Sequence, residues 1–256
     1  MEKRYIKNFN SLSEFEQEII KQKTILVIGL GGLGGFILDS LARLGVKKIK
    51  LIDFDNFDIT NLNRQLLSTE KNIGSSKVLE GKKYIHSINS LINIEIFNSK
   101  FEECCFKTIF KDTDIVFDCC DNIITKFNIE EQCQIFNIPL IYGSVAGYFG
   151  QVSCILPNSP LLKQIYPQKY IKGVENQTGN LCFVVSIVAS LQINLFLKLI
   201  LKKAIKTHGF YYIDMNIFEI QWISFEIKKE KWTIFNKLII DINIFGGFYE
   251  KSTCYF

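Results

Sequence analysis

The sequence has eight cysteines in 256 residues but no C-x-x-C pair. Zinc frameworks and disulfide scaffolds both depend on cysteine spacing, so neither is indicated. The cysteines include two adjacent pairs, Cys104-Cys105 and Cys119-Cys120, and reduced cytoplasmic thiols are predicted. There is no internal repeat and no low-complexity linker, which argues against a solenoid or a string of modules. Prolines number four, three of them at Pro157, Pro160 and Pro167. The net charge of +4 is mild and its basic residues are scattered, so no nucleic-acid partner is predicted. The polar start, MEKRYIKNFN, predicts no secretory leader. The two histidines, His86 and His208, have no partner visible in sequence and are given no role. One long apolar run exists, at 181–201. Ser186, Ser190, Gln192 and Asn194 interrupt it, and polar groups there would be costly in hydrocarbon. It reads as a buried helix, with no membrane partner.

What is present begins with ILVIGLGGLGG at 25–35. The apolar residues 25–28 read as a buried parallel strand. Gly29, Gly31 and Gly34 follow at G-x-G-x-x-G spacing, with Gly32 in an x position. Phe36, Ile37, Leu41 and Leu44 then recur at helical spacing up to Gly45. Strand, glycine turn and helix in that order point to a nucleotide site, because a helix start offers N–H groups to phosphate. A second strand is predicted at 48–54. Asp53 at its end falls about twenty residues after the turn, where a dinucleotide fold places its ribose-binding acid.

A helix is predicted at 11–22, with Ser11 and Glu14 at capping-box spacing and Phe15, Ile19 and Ile20 as its apolar face. Further helices are expected at 77–91, 104–110 and 125–136, and strands at 93–98, 114–119 and 139–145. This alternation predicts a parallel sheet with right-handed crossovers. After Gly143 the pattern changes. An antiparallel strand is expected at 150–156, the apolar helix at 181–201, and β-rich segments at 210–215, 218–227 and 232–244. The fold class is therefore α/β, Rossmann-like, mainly parallel and extended by antiparallel strands in the C-terminal half.

The residues around Asp53 argue against a hydride-transfer enzyme. Arg64, in NLNRQ with Asn61 and Gln65, offers a planar fork to phosphate oxygens. Lys77 adds a second cation, and Asp121 at a strand end can hold Mg²⁺ through oxygen. Together they describe a triphosphate site. Singly, each has another reading: Arg64 as a loop salt bridge, Lys77 as a solvated helix end, Asp121 as a helix cap.

These pieces resemble the ThiF/MoeB/HesA family, bacterial relatives of ubiquitin-activating enzymes. RYIKNFNSLSEFEQ, VIGLGGLGG, LIDFDNFDITNLNRQLL, NIGSSK, DCCDN, PLIYGSVAGYFGQV and GNLCFVVSIVASLQ run in family order over nearly the whole chain. The resemblance implies one ThiF-type domain over 1–256, with an N-terminal helical segment at 1–23, a nucleotide-binding half at 24–147 and a β-rich, carrier-binding half at 148–256. It implies adenylation of the C-terminal glycine of a ubiquitin-like sulfur carrier ending in Gly-Gly, using ATP and Mg²⁺, by a cytoplasmic homodimer. Gly29, Gly31, Gly32 and Gly34 would line the nucleotide turn and Asp53 would hold the ribose. Asn61, Arg64 and Gln65 would meet the phosphates, with Lys77 stabilising charge and Asp121 binding magnesium. Asp55 and Asn122 join the same nucleotide-binding set. Lys7 stands where the family usually carries an arginine that reaches the partner's ATP. Many members also hold zinc through two C-x-x-C pairs. Neither is here, so no zinc is expected, and the loop at 157–180 must be held by packing or remain mobile. Some members form a thioester or persulfide through a loop cysteine; Cys182 is the nearest candidate, though a small buried residue entering the helix is the favoured reading. The alternatives are a relative that adenylates a tRNA base or a peptide, and a non-catalytic homologue that binds nucleotide or carrier.

Overall fold

The computed structural model describes residues 2–167 and 178–225. The β-rich segment expected at 232–244, the C-terminal stretch after it and part of the 157–180 loop lie outside the described residues.

The first strand, β1 (Thr24–Ile28), is buried at all five positions. Ile25 and Val27 join the core on one face of the sheet, and Leu26 and Ile28 join the core on the other. A strand covered on both faces reads as a continuous apolar run, which is why ILVI was legible as parallel. The helix α2 (Gly32–Leu44) follows and stops at Gly45. The alternation continues through β2 (Lys48–Ile52), α3 (Lys77–Ile88), β3 (Asn93–Phe97), α4 (Phe106–Phe110), β4 (Ile115–Asp118), α5 (Ile123–Ile135) and β5 (Leu140–Ala146). The strands β6 (Phe149–Ile155), β7 (Gly209–Asp214) and β8 (Glu219–Ser224) complete one sheet in the order β3-β2-β1-β4-β5-β6-β7-β8. Pairing is parallel from β3 to β5 and antiparallel from β5 to β8. The expected fold class and its change of pattern after Gly143 match this sheet. The short helix α6 (Leu162–Ile165) and the long α7 (Cys182–Ile200) lie in the β6–β7 connection.

The α7 helix is long and apolar enough to cross a membrane by length and composition. Here Val184, Val185, Val188 and Phe196 join the core shared with α2 and the sheet. Gln192, one of the polar interruptions, is fully buried. Its Nε2 donates to the carbonyls of Asp118 (3.2 Å) and Ile141 (3.3 Å), so it ties the helix to β4 and β5.

The first helix departs from the expectation. α1 runs over Glu14–Lys21, with Ser13 as its N-cap and Glu16 completing the capping box. Ser11/Glu14 and Ser13/Glu16 have the same spacing, so the motif alone could not choose between them. Tertiary contact chose: Gln17 is buried and donates to the Leu44 carbonyl at the end of α2 (2.7 Å). That turns Phe15, expected in the apolar face, out to 75% exposure, while Ile20 is buried.

Two buried charges hold segments beside the sheet. Lys50 of β2 donates from Nζ to the carbonyls of Thr108 (3.4 Å), Ile109 (2.9 Å) and Lys111, capping the C-terminal end of α4. Lys50→Met should orphan these carbonyls and cost about 3 kcal/mol; urea unfolding would show it, and an unshifted midpoint would refute the cap. On the same face of the sheet, Glu130 of α5 accepts the N–H groups of Leu161 (2.6 Å) and Leu162 (2.9 Å). Tyr166 meets the Tyr142 hydroxyl at 2.7 Å. The described part of the 157–180 loop is thus anchored by hydrogen bonds as well as packing.

Candidate functional site

The sheet reverses its winding between β1 and β4, because the chain moves outward one way to β2 and β3 and the other way to β5. Such a point leaves a crevice beyond the C-terminal strand ends. A cavity of about 610 Å³ lies there, a size suited to a small-molecule ligand.

The glycine turn makes one wall. Gly29, Gly31 and Gly32 line the cavity. Gly29 has φ +90°, and a Cβ on it would lie 2.8 Å from the Cys119 carbonyl oxygen. Gly34 does not line the cavity. It packs against the turn itself, where a Cβ would fall 2.1 Å from the Gly29 carbonyl oxygen. The third glycine therefore lets the helix close onto the turn.

Asp53, just past β2, accepts the Leu30 N–H on Oδ2 (2.6 Å) and the Asp55 N–H on Oδ1 (2.8 Å). It ties the glycine turn to the next strand end. Burial raises its pKa, against the pull of Lys77. Asp53 lines the cavity, and each carboxylate oxygen keeps a second acceptor site for a ligand hydroxyl. Lys77 opens α3 and is buried, with Nζ 2.9 Å from Asp55 Oδ2. It is not the solvated helix end of the alternative reading.

Within the NLNRQ loop the residues divide. Asn61 is buried, but its Oδ1 accepts the Asp58 N–H (3.1 Å), and it does not line the cavity. Its Oδ1 thus serves as a loop cap. Arg64 lines the cavity, with Nη1 donating to the Thr60 carbonyl (3.0 Å) and to Asn63 Oδ1 (2.8 Å). It forms no salt bridge among the described residues, so the loop-salt-bridge reading finds no support there. Gln65 also lines the cavity, and its buried Oε1 has no hydrogen-bond partner among the described residues.

Beyond β4, Asn122 caps α5 by accepting the Ile124 (2.9 Å) and Thr125 (3.1 Å) N–H groups. The cap suspected of Asp121 belongs to Asn122. Asp121 faces the cavity as an exposed carboxylate. Among the described residues no three His, Cys, Asp or Glu side chains cluster to hold a metal. One exposed carboxylate facing the cavity still suits Mg²⁺, which is held by one or two carboxylates plus substrate phosphates and water. Cys119 and Cys120 line the cavity, but burial pushes both thiols far up, so neither offers a thiolate. Cys182 overturns the favoured reading of it as buried: it is exposed at the first turn of α7 and does not line the cavity. Lys7 is exposed in the 3-10 helix Lys3–Asn8, away from its own chain's cavity lining.

Several lining residues carried no sequence signal. Glu102 accepts the Thr125 hydroxyl (2.7 Å) across the cavity mouth, and Lys100 sits over the Phe54 ring. Only the rule that ligands meet strand ends could have pointed to Ser99 and Lys100, two and three residues past β3. Ser144 of β5, Asn180 just before α7 and Val185 of α7 also line the cavity.

A doubly wound sheet with a glycine turn, three cations and an exposed carboxylate around its switch-point cavity defines a nucleotide-binding α/β protein. More narrowly, the chain belongs to the ThiF family, whose model matches residues 3–233. It is 36% identical over 181 residues to the molybdopterin-synthase adenylyltransferase of Haemophilus influenzae, covering 69% of this chain and 74% of that protein. It is 31% identical over 176 residues to the adenylyltransferase and sulfurtransferase MOCS3 of Culex quinquefasciatus, covering 60% of this chain and 40% of that protein. The named relatives are adenylyltransferases, and the family is one of enzymes. The fold resembles E. coli MccB solved with ATP (TM-score 0.72, 20% identity, 88% of this chain and 71% of that one). It also resembles PaaA (TM-score 0.68, 19% identity, 82% of this chain and 66% of that one).

Proposed function

We propose that this chain is an ATP-dependent adenylyltransferase that activates the C-terminal glycine of a ubiquitin-like sulfur carrier. The observation that carries this reading is the convergence of Arg64, Lys77 and the free Asp121 on the cavity of the glycine turn. The carrier's carboxylate attacks the α-phosphorus, the bond to the pyrophosphate oxygen breaks, and an acyl-adenylate and pyrophosphate result. No general base is needed, since the carboxylate is ionised at neutral pH. Negative charge grows on the α-phosphate and on the leaving group. Fixed cations facing the reacting phosphate supply most of the stabilisation. Lys77 is held for this by Asp55, and Arg64 by the Thr60 carbonyl and Asn63. Magnesium, when bound at Asp121, would neutralise phosphate oxygens. Asp53 would hold the ribose. Lys7 would act in trans within a homodimer, in the cytoplasm and without zinc.

ATP–pyrophosphate exchange tests the reading. Exchange should depend on a carrier ending in Gly-Gly and vanish when its last glycine is deleted. ATP binding without exchange for any such carrier would refute it. An E. coli MccB structure holds AMPCPP together with MccA, which supports a second reading with a peptide acceptor. Peptide-dependent exchange in the same assay would select it.

A further inference from the structure

Below the cavity floor lies a buried ion pair that the proposed reaction does not use. Lys126 and Asp118 are 1% and 0% exposed. Lys126 Nζ donates to Asp118 Oδ2 (3.0 Å) and to the Gly143 carbonyl (2.8 Å), and it sits 5.0 Å over the Tyr142 ring. Asp118 Oδ1 accepts the Cys120 N–H (3.0 Å), and its carbonyl accepts Gln192 Nε2. A Cβ on Gly143 would strike the Gln192 side chain at 2.5 Å, so these groups are in close contact.

Burying two charges costs more than their attraction usually returns, and an apolar pair of the same shape is often as stable. The position of this pair supplies a reason for it. Lys126 stands on α5, whose N-cap Asn122 and first-turn residues Ile124 and Thr125 line the cavity. Asp118 ends β4 and, through the Cys120 N–H, shapes the turn that presents Asp121. Gly143 immediately precedes Ser144 and Val145, which line the opposite wall. One ammonium therefore joins three pieces of the cavity wall.

We propose that Lys126 is a positioning residue: through Asp118 and Gly143 it fixes the turn bearing Asp121 against β5, so that Asp121 meets the metal–nucleotide complex in one geometry. This rests on the adenylyltransferase reading for its effect on turnover, but not for its effect on metal-dependent nucleotide binding.

The test measures ATP binding by equilibrium dialysis across a magnesium titration, alongside pyrophosphate exchange, for Lys126→Met and Lys126→Arg. If Lys126→Met does not fold, the double variant Lys126→Met with Asp118→Asn, which removes both charges, takes its place. Metal-free ATP binding should stay within about twofold of wild type, while the magnesium concentration needed to strengthen it rises about tenfold or more, as for groups that orient a metal ligand. The kcat for exchange should fall about 100-fold with KM for ATP little changed, the effect of a misplaced group. Lys126→Arg should recover most of both. An unchanged magnesium dependence in a folded variant overturns the proposal. So does an equal loss of metal-free binding, which would mark a merely structural pair, or a wild type whose ATP binding ignores magnesium. A wild type that binds Mg·ATP but exchanges with no acceptor removes the adenylyltransferase reading and leaves this assignment to the binding data.

Discussion

Gly34→Ala is expected to lose the folded state or most of its stability, together with nucleotide binding. In an ordinary helix interior this change is favourable by about 1 kcal/mol, because alanine is the better helix former. Here the added methyl would lie 2.1 Å from the Gly29 carbonyl oxygen and 3.0 Å from its carbon. Both are backbone atoms and cannot swing aside. The helix must move off the turn, or the turn off β1. A loss above about 4 kcal/mol is expected, against a total stability on the order of 5–15 kcal/mol. Gly31→Ala is the control. Its methyl would meet nothing nearer than Gln65 Nε2 at 3.7 Å, so folding should survive and only the cavity should shrink. Denaturant unfolding and ATP binding on the two variants separate the cases. A Gly34→Ala protein with a wild-type midpoint would contradict the geometry.

Lys77→Met is expected to separate turnover from stability. The Lys77 side chain is 7% exposed, but that of its partner Asp55 is 47% exposed. Removing the ammonium leaves Asp55 within reach of water but also weakens the offset to the burial of Asp53, and methionine fills the aliphatic space. Thermal stability should fall modestly, far less than turnover. Exchange should fall about 10²–10³-fold, the usual loss when one fixed group facing developing charge is removed. Comparison of kcat with KM for ATP is the check. A variant with normal kcat would take Lys77 out of the reacting site and leave it as an anchor for Asp55.

Much of the fold was legible because it depends on local pattern. The apolar run before Gly29, the alternation of helix and strand as far as β5, and the reversal after Gly143 each follow from neighbours in sequence. The candidate site was legible where a strand end coincides with a motif, as at Gly29, Asp53 and Asp121. It was not legible where one spacing serves several purposes. The four glycines of the turn look alike in sequence, yet Gly31 faces the cavity and Gly34 faces backbone. Asn61 and Gln65 belong to one motif, but only Gln65 reaches the cavity. Ser11 and Ser13 offer equivalent caps, and Gln17 decides between them from across the fold. Lys126 gave no signal because a lysine on a helix reads as a solvated residue until its partners on β4 and β5 are known. Cys182 reads as buried in sequence because cysteine so often is, whereas here it stands at the exposed start of α7.

The cavity wall draws on residues from Ile28 to Val185 and on the ends of β1, β2, β4 and β5. No contiguous stretch of chain contains it. During folding, β1 and β2 with their helices can pair early through local contacts, but the wall closes only when β5 and α7, far apart in sequence from β1, have docked. A nucleotide can therefore find its full set of contacts only in a nearly complete molecule. It should act late on the folding pathway, slowing unfolding far more than it hastens folding.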